Sequence, residues 1–295
     1  MIEHKVEVAD RWFRPFLVCP DCRAPLRTLD DGFHCTSCEY QSANQRPLDL
    51  RPRHPKPVVL SFTPRRTAYL PHDLGQLPVS RPEVTVERQT LSRDSRELLS
   101  AMAPFLPTGA RVLDLGCGPR DQFDPIHRLG WQYVGSDYEG SAADVLADAH
   151  ALPFADGVFD AVLSFAVLEH LYHPYVAVSE VCRVLKPGGV YCGTVSQGDP
   201  YHSSFFNMTP WGVLSLLESL ELLPLRLWPN YDTLFSLSVM GRYPRVIKSL
   251  LRFVAKFHEA APFLAPRRMR WPSRLKEVDE LYRSAAIVFL AQKAA

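Results

Sequence analysis

The chain has 295 residues, of which 46% are hydrophobic and 22% charged, with a formal net charge of +1. That length accommodates one sizeable core plus a small accessory unit. The near-neutral balance excludes a protein that acts as a whole as an electrostatic magnet for nucleic acid. No apolar stretch reaches the length of a membrane span, and Met1 to Asp10 carry charges where a signal peptide needs an apolar core.

In chain order, residues 1–50 come first. Cys19-Pro-Asp-Cys22 and Cys35-Thr-Ser-Cys38 form two Cys-x-x-Cys turns separated by twelve residues. Each turn aims two thiolates at one tetrahedral cation, and a short hairpin between them brings the pairs together; this is the donor set of a structural Zn2+ site with no open position. Two disulfides or four free thiols are the alternatives. Paired Cys-x-x-Cys units with three scattered cysteines fit a reducing compartment, so metal binding and a cytoplasmic location are expected. A segment of this size lacks the apolar mass to fold unaided, and the metal would act as its core. Residues 51–82 carry seven prolines and no sustained periodicity, which predicts an extended linker lying across the surface of the next unit.

From Glu83 to Met102 the pattern is helical, and Gly109 introduces a strand at 110–115. Further strands are predicted at 131–136, 144–148, 158–165 and 188–196, alternating with helical stretches at 121–129 and 174–184. That alternation argues a doubly wound, mostly parallel α/β sheet. Only Tyr138 to Ala143 separate the second and third strands, too few for a crossover helix, so that helix is expected to be one turn or missing. An amphipathic helix follows Thr209 (Trp211, Leu214, Leu217, Leu220), then strands near 223–228 and 285–291.

Val112-Leu-Asp-Leu-Gly-Cys-Gly-Pro119 ends an apolar run in an acid and then a glycine turn, which lets backbone approach a nucleotide-like ligand. Its companions follow in order: Val134-Gly-Ser-Asp137, Ala147-Asp-Ala149 with Leu152-Pro-Phe154, Phe159 to Ser164, and Val184-Leu-Lys-Pro-Gly-Gly-Val190. The set resembles the class I S-adenosylmethionine-dependent methyltransferases over roughly residues 84–295. The resemblance implies a Rossmann-like, seven-stranded sheet whose last strand inserts antiparallel beside the fifth, leaving 231–282 as a helical insertion in an 83–295 domain. The N-terminal module is similar to the zinc ribbons that precede some methyltransferase domains, including certain ribosomal RNA guanine methyltransferases, and Arg46-Pro-Leu-Asp-Leu50 matches the way such units end.

By the same resemblance, Asp114, Gly116 and Gly118 would line the methionine end of the cofactor. Asp137 would accept the ribose hydroxyls, and Asp148 with the Ala149 amide would address the adenine edge. Ser164 and Phe165 would sit beneath the sulfonium. Where relatives often carry a third glycine this chain has Arg120, a side chain expected to narrow the cofactor's approach. A nicotinamide fingerprint would need glycine at Asp121 and is absent. Candidate bases are His170, after the fourth strand, and His202, after the fifth, both with suitable ordinary pKa ranges; Tyr201 is a candidate wall of the acceptor pocket. The Glu169-His170 pair recurs in relatives with unlike substrates, which favours a structural or cofactor-side role. Cys117, Cys182 and Cys192 read as small core residues.

Within the insertion, Arg245 to Phe257 puts Val246, Ile247, Leu250, Leu251, Val254 and Phe257 on one helical face, with Arg245, Lys248, Arg252 and Lys256 on or beside the other. One reading is a lid helix with its basic side in water. The other is peripheral contact of residues 243–258 with anionic lipid or a phosphate-bearing acceptor. Three function classes follow: a methyltransferase for a small-molecule, lipid-linked or sugar-type acceptor, which the near-neutral charge and the aromatic-rich 205–228 segment favour; an RNA methyltransferase that grips RNA with its zinc ribbon; and a non-catalytic cofactor-binding or partner-docking protein.

Overall fold

The central strand β5 (Arg111–Leu115) is buried from Val112 to Leu115 because both of its faces are covered, as parallel strands require, and Asp114 is its one buried acid. Leu113 and Leu115 point into one core layer with Val134 and Val162, while Val112 points into the other with Tyr133, Ala161 and Leu163. The computed structural model describes residues 12–54, 57–60, 96–199, 203–260 and 281–295. The predicted helix before Arg96, most of the linker, Tyr201, His202 and residues 261–280 of the insertion lie outside these.

The N-terminal unit holds an antiparallel sheet of β1 (Leu26–Leu29), β2 (Gly32–Cys35) and β3 (Gln41–Ala43), followed by β4 (Leu48–Asp49). Then come helix α1 (Arg96–Met102), β5, α2 (Phe123–Arg128), β6 (Gln132–Asp137), β7 (Val145–Leu146), β8 (Phe159–Phe165), α3 (Pro174–Val184) and β9 (Leu185–Ser196). The C-terminal part adds α4 (Pro210–Glu218), β10 (Leu222–Pro229), α5 (Thr233–Met240), α6 (Arg245–Ala260) and β11 (Ala286–Lys293). The large sheet runs β10-β11-β9-β8-β5-β6-β7-β4. Strands β9 to β4 are parallel to their neighbours, and β11 is antiparallel between β9 and β10. As expected, the short segment between β6 and β7 carries no helix.

Local chemistry explains the helix starts. Pro174 and Pro210 occupy first-turn positions where no N–H is needed, and the Thr209 hydroxyl accepts from Gly212 N at 3.2 Å. Helix α3 buries Ala177, Val178, Val181 and Val184, one stripe at helical spacing, against the sheet.

The sheet has one strand more than the expected seven. Leu48 and Asp49 pair in parallel with Val145 and Leu146, so the N-terminal unit supplies the edge. Nor does that unit depend on a metal alone for its core. Phe13 packs edge-to-face on Phe154 (centroids 6.5 Å apart) and Trp12 on Phe159 (6.1 Å). Val18 N donates to Pro153 O, and Ala155 N to Phe16 O. Phe13, Leu17, Phe33 and Leu50 belong to the same apolar cluster as Leu113 and Val162. Among the described residues no helix is long and apolar enough to cross a membrane.

Candidate cofactor site and four-sulfur cluster

Strand β5 is flanked by β8 on one side and β6 on the other, so the chain order reverses there and a crevice opens at the carboxyl ends. The turn after β5 is built for close backbone approach. Gly116 has φ +70°, and a Cβ there would lie 2.4 Å from Val167 Cγ2. Its N–H and that of Cys117 donate to Ser136 O at 2.8 and 3.0 Å, tying the turn to β6. Gly118 N donates to Asp137 Oδ2 at 2.8 Å, while Asp137 Oδ1 accepts from Tyr138 N at 2.8 Å. Each carboxylate oxygen keeps a second lone pair for an incoming hydroxyl. Asp114 is buried below the turn and accepts from the Tyr133 hydroxyl at 2.9 Å. Burial and the Asp114 charge push the Tyr133 hydroxyl far above the ordinary tyrosine range, so it remains a donor.

Arg120 corrects the sequence expectation. Its backbone takes the left-handed conformation (φ 65°) that glycine adopts freely, but its side chain is committed elsewhere. The guanidinium pairs with Asp144, whose other oxygen accepts from Gly135 N at 2.8 Å, and lies over the rings of Phe123 and Tyr133. It braces the β5 turn against the segment before β7 instead of narrowing the crevice.

Asp148 follows β7. Its Oδ1 accepts from His150 N (2.9 Å) and from the His150 ring Nδ1 (2.6 Å), and His150 Nε2 accepts from His173 N at the start of α3. Nδ1 therefore carries the proton. Burial alone would raise the Asp148 acid, but the His150 bonds outweigh it and hold the acid below its usual range. Ala149 beside it is buried. Ser164 and Phe165 end β8 as predicted, yet both side chains belong to the interior. The Ser164 hydroxyl meets Tyr191 OH at 2.8 Å, and Phe165 packs with the core layer that holds Val112. Val167, two residues on, is the side chain that reaches the glycine turn.

After β8 the chain makes a 3-10 turn, Leu168–His170. Glu169 points inward, its Oε1 accepting from Ser196 N at 3.0 Å and its backbone carbonyl from Phe205 N at 2.8 Å. It thereby joins the loops after β8 and β9. Burial pushes its acid up to about 7. His170 sits exposed at the end of the turn, and His202 lies outside the described residues. Beside these loops is a cavity of about 700 Å³ lined by Tyr172, His173, Phe206, Met208 and neighbours, including Leu60 of the linker. The residues that sequence reasoning missed (Tyr133, Asp144, Val167) carry no motif. They are ordinary strand or loop residues whose roles depend on register.

On the far side of β4 the sulfurs of Cys19, Cys22, Cys35 and Cys38 all lie within 4.8 Å of one another. Cys19 and Cys38 are 3.6 Å apart and Cys22 and Cys35 3.4 Å, with no disulfide. A tetrahedral Zn–S length of about 2.3 Å requires sulfur separations of about 3.8 Å, so the cluster fits that ion. At Cys35 burial opposes ionisation, but the Ser37 N–H and the neighbouring sulfurs prevail and lower the thiol to about 7. Metal binds the thiolate.

Residues 113–193 match the family model described as a methyltransferase domain. An uncharacterized methyltransferase of Mycobacterium sp. (strain KMS) is 37% identical over 105 residues, 32% of this chain and 42% of its own length. A ubiquinone biosynthesis O-methyltransferase of Cereibacter sphaeroides is 35% identical over 115 residues, 34% of this chain and 46% of its own. The chain thus spans less than half the length of these curated relatives. Among solved structures, geranyl diphosphate C-methyltransferase of Streptomyces coelicolor aligns with 67% of this chain and 74% of its own, at 15% identity and a TM-score of 0.43.

Proposed function

We propose that this chain is an S-adenosylmethionine-dependent methyltransferase of the cytoplasm, with residues 83–295 as the catalytic domain, 231–282 as its insertion and 1–50 as a four-cysteine zinc module. The observation that carries the reading is the bond between the glycine turn and the β6 acid: Gly118 N on Asp137 Oδ2 holds a carboxylate and a bare backbone edge at one crevice. The matched methyltransferase domain covers that crevice and both flanking strands.

The cofactor supplies a methyl group on a positively charged sulfur, so the protein's task is to bind, orient and keep water away. Asp137 accepts from the ribose diol, and Asp148 and Ala149 meet the adenine edge. Asp114 and the side-chain-free turn at Gly116 and Gly118 would line the methionine end, the Gly116 and Gly118 N–H groups being already bonded to Ser136 O and Asp137 Oδ2. Ser164 and Phe165 contribute the rigid end of β8 below the sulfur, while Val167 reaches the glycine turn. His170 and His202 are the candidate bases on the loops that overhang the strands. Glu169 positions the first of these loops.

The acceptor we favour is a small organic or lipid-linked molecule. The cavity near Tyr172, Phe206 and Met208 is walled mainly by apolar and aromatic side chains, which suits such a group. A relative named for ubiquinone biosynthesis is 35% identical over 115 residues. In the zinc module exposed Asp30, Asp31 and Glu39 offset exposed Arg23, Arg27 and Arg46, which leaves no basic patch for RNA phosphates among its described residues. The test is transfer of labelled methyl from the cofactor into a cell extract separated into RNA, protein, lipid and small molecules. Label in the lipid or small-molecule fraction is expected. Label in RNA would replace the acceptor reading, and no label in any fraction would favour a non-catalytic binding protein.

A further inference from the structure

Helix α6 carries its apolar stripe on the outside. Val246, Leu250, Phe253 and Phe257 follow the i, i+4, i+7, i+11 spacing of one helical face. They are 79, 60, 67 and 45% exposed. The contact with α5 is made by another side of the helix: Ala255 is fully buried, and Arg252 Nε donates to Ser238 Oγ at 3.2 Å. Val239 and Met240 at the end of α5 extend the exposed apolar surface. Arg245 and Lys256 are exposed beside it, Lys248 and Arg252 lie farther round toward α5, and residues 241–276 contain ten Lys/Arg against the single acid Glu259.

We propose that α6 is a membrane-docking helix that lies in the interface of a bilayer containing anionic lipid, with the phenylalanine stripe toward the acyl chains and the basic row at the headgroups. A helix in water with this much bare apolar surface needs a cover. Charge selects the occupant. Two copies would set like-charged rows against each other, whereas an anionic surface neutralises them. RNA would use the cations and leave the apolar stripe in water. A bilayer uses both. Helix α5, on which α6 packs, is tied to the loop after β9 at the carboxyl end of the sheet, where the hydroxyls of Tyr231 and Ser236 donate to Asp199. Docking there would bring the crevice to a lipid-linked acceptor.

The test is co-sedimentation of the full zinc-loaded chain with vesicles of phosphatidylcholine, with and without phosphatidylglycerol. Binding is expected only with the anionic lipid and is weakened by salt. The double variant Phe253→Ser, Phe257→Ser and the charge reversal Arg245→Glu, Lys256→Glu should each reduce it at least about tenfold. All four side chains are exposed, so unchanged thermal melting confirms that the variants fold. The assay contains no cofactor and stands apart from methyl transfer. Equal sedimentation of the variants and the parent chain would overturn the proposal. So would no sedimentation at all, a dimer broken by the Phe variants, or retention on RNA lost with the charge reversal.

Discussion

Asp137 serves two loops at once. One oxygen takes the glycine-turn amide and the other the amide of Tyr138, so the carboxylate is oriented before any ligand arrives. Arg120 does comparable work one layer below, fixing the segment before β7 through Asp144. Glu169 is the residue whose protonation matters to the fold. Burial raises its acid from an ordinary 4.5 to about 7, so the native state holds the proton more tightly than the unfolded chain. Its contribution is fully present below the ordinary value and is lost as pH rises toward the raised one, a change of about 3 kcal/mol. Glu169→Gln keeps an acceptor for Ser196 N and removes the titration. Urea melts at about pH 5 and about pH 8 should show a stability drop in the parent that the variant lacks. An equal drop in both would assign the effect to other groups.

At the scale of elements, β4 is the joint between the cysteine unit and the sheet. Its two residues pair with β7, and Arg51 just beyond it binds Asp49 bidentately and lies over the Tyr138 ring, next to Asp137. Arg23 reaches from the first cysteine knuckle to Glu180 of α3 at 2.6 Å, and Glu180 in turn accepts from Leu152 N. A unit so interlocked unfolds with its host. Stripping metal with a chelator should therefore lower the melting temperature of the whole chain by at least about 5 °C in a single transition. Calorimetry showing a separate early transition, with the main one unmoved, would contradict the shared core.

At the scale of the molecule, the parallel sheet was readable because β5, β6 and β8 are short, buried and punctuated by Gly116 and Asp137. Strand β9, however, begins at Leu185, ahead of the Gly188-Gly189 pair where it was expected to start. The missing helix between β6 and β7 was readable from loop length alone. The edge strand was not. Leu48-Asp49 is too short to show a period, and its partner lies about a hundred residues away. The shared core was hidden for the same reason: Phe13 and Leu17 look insufficient until Phe154 is placed beside them. Ser164 marked the right strand end, but period-two alternation does not say which face is the interior. The amphipathic pattern of α6 was visible, whereas the direction of its apolar stripe depends on where α5 sits. The central claim is that the crevice at β5 and β6 grasps an adenosyl group through Asp137. Its most direct test is isothermal calorimetry of the zinc-loaded chain with S-adenosylhomocysteine. Measurable heat at one site is predicted, weakened roughly 10- to 100-fold by Asp137→Ala, as loss of hydrogen bonds to a charged acceptor implies. No heat from the parent chain, or equal affinity in the variant, would contradict the account.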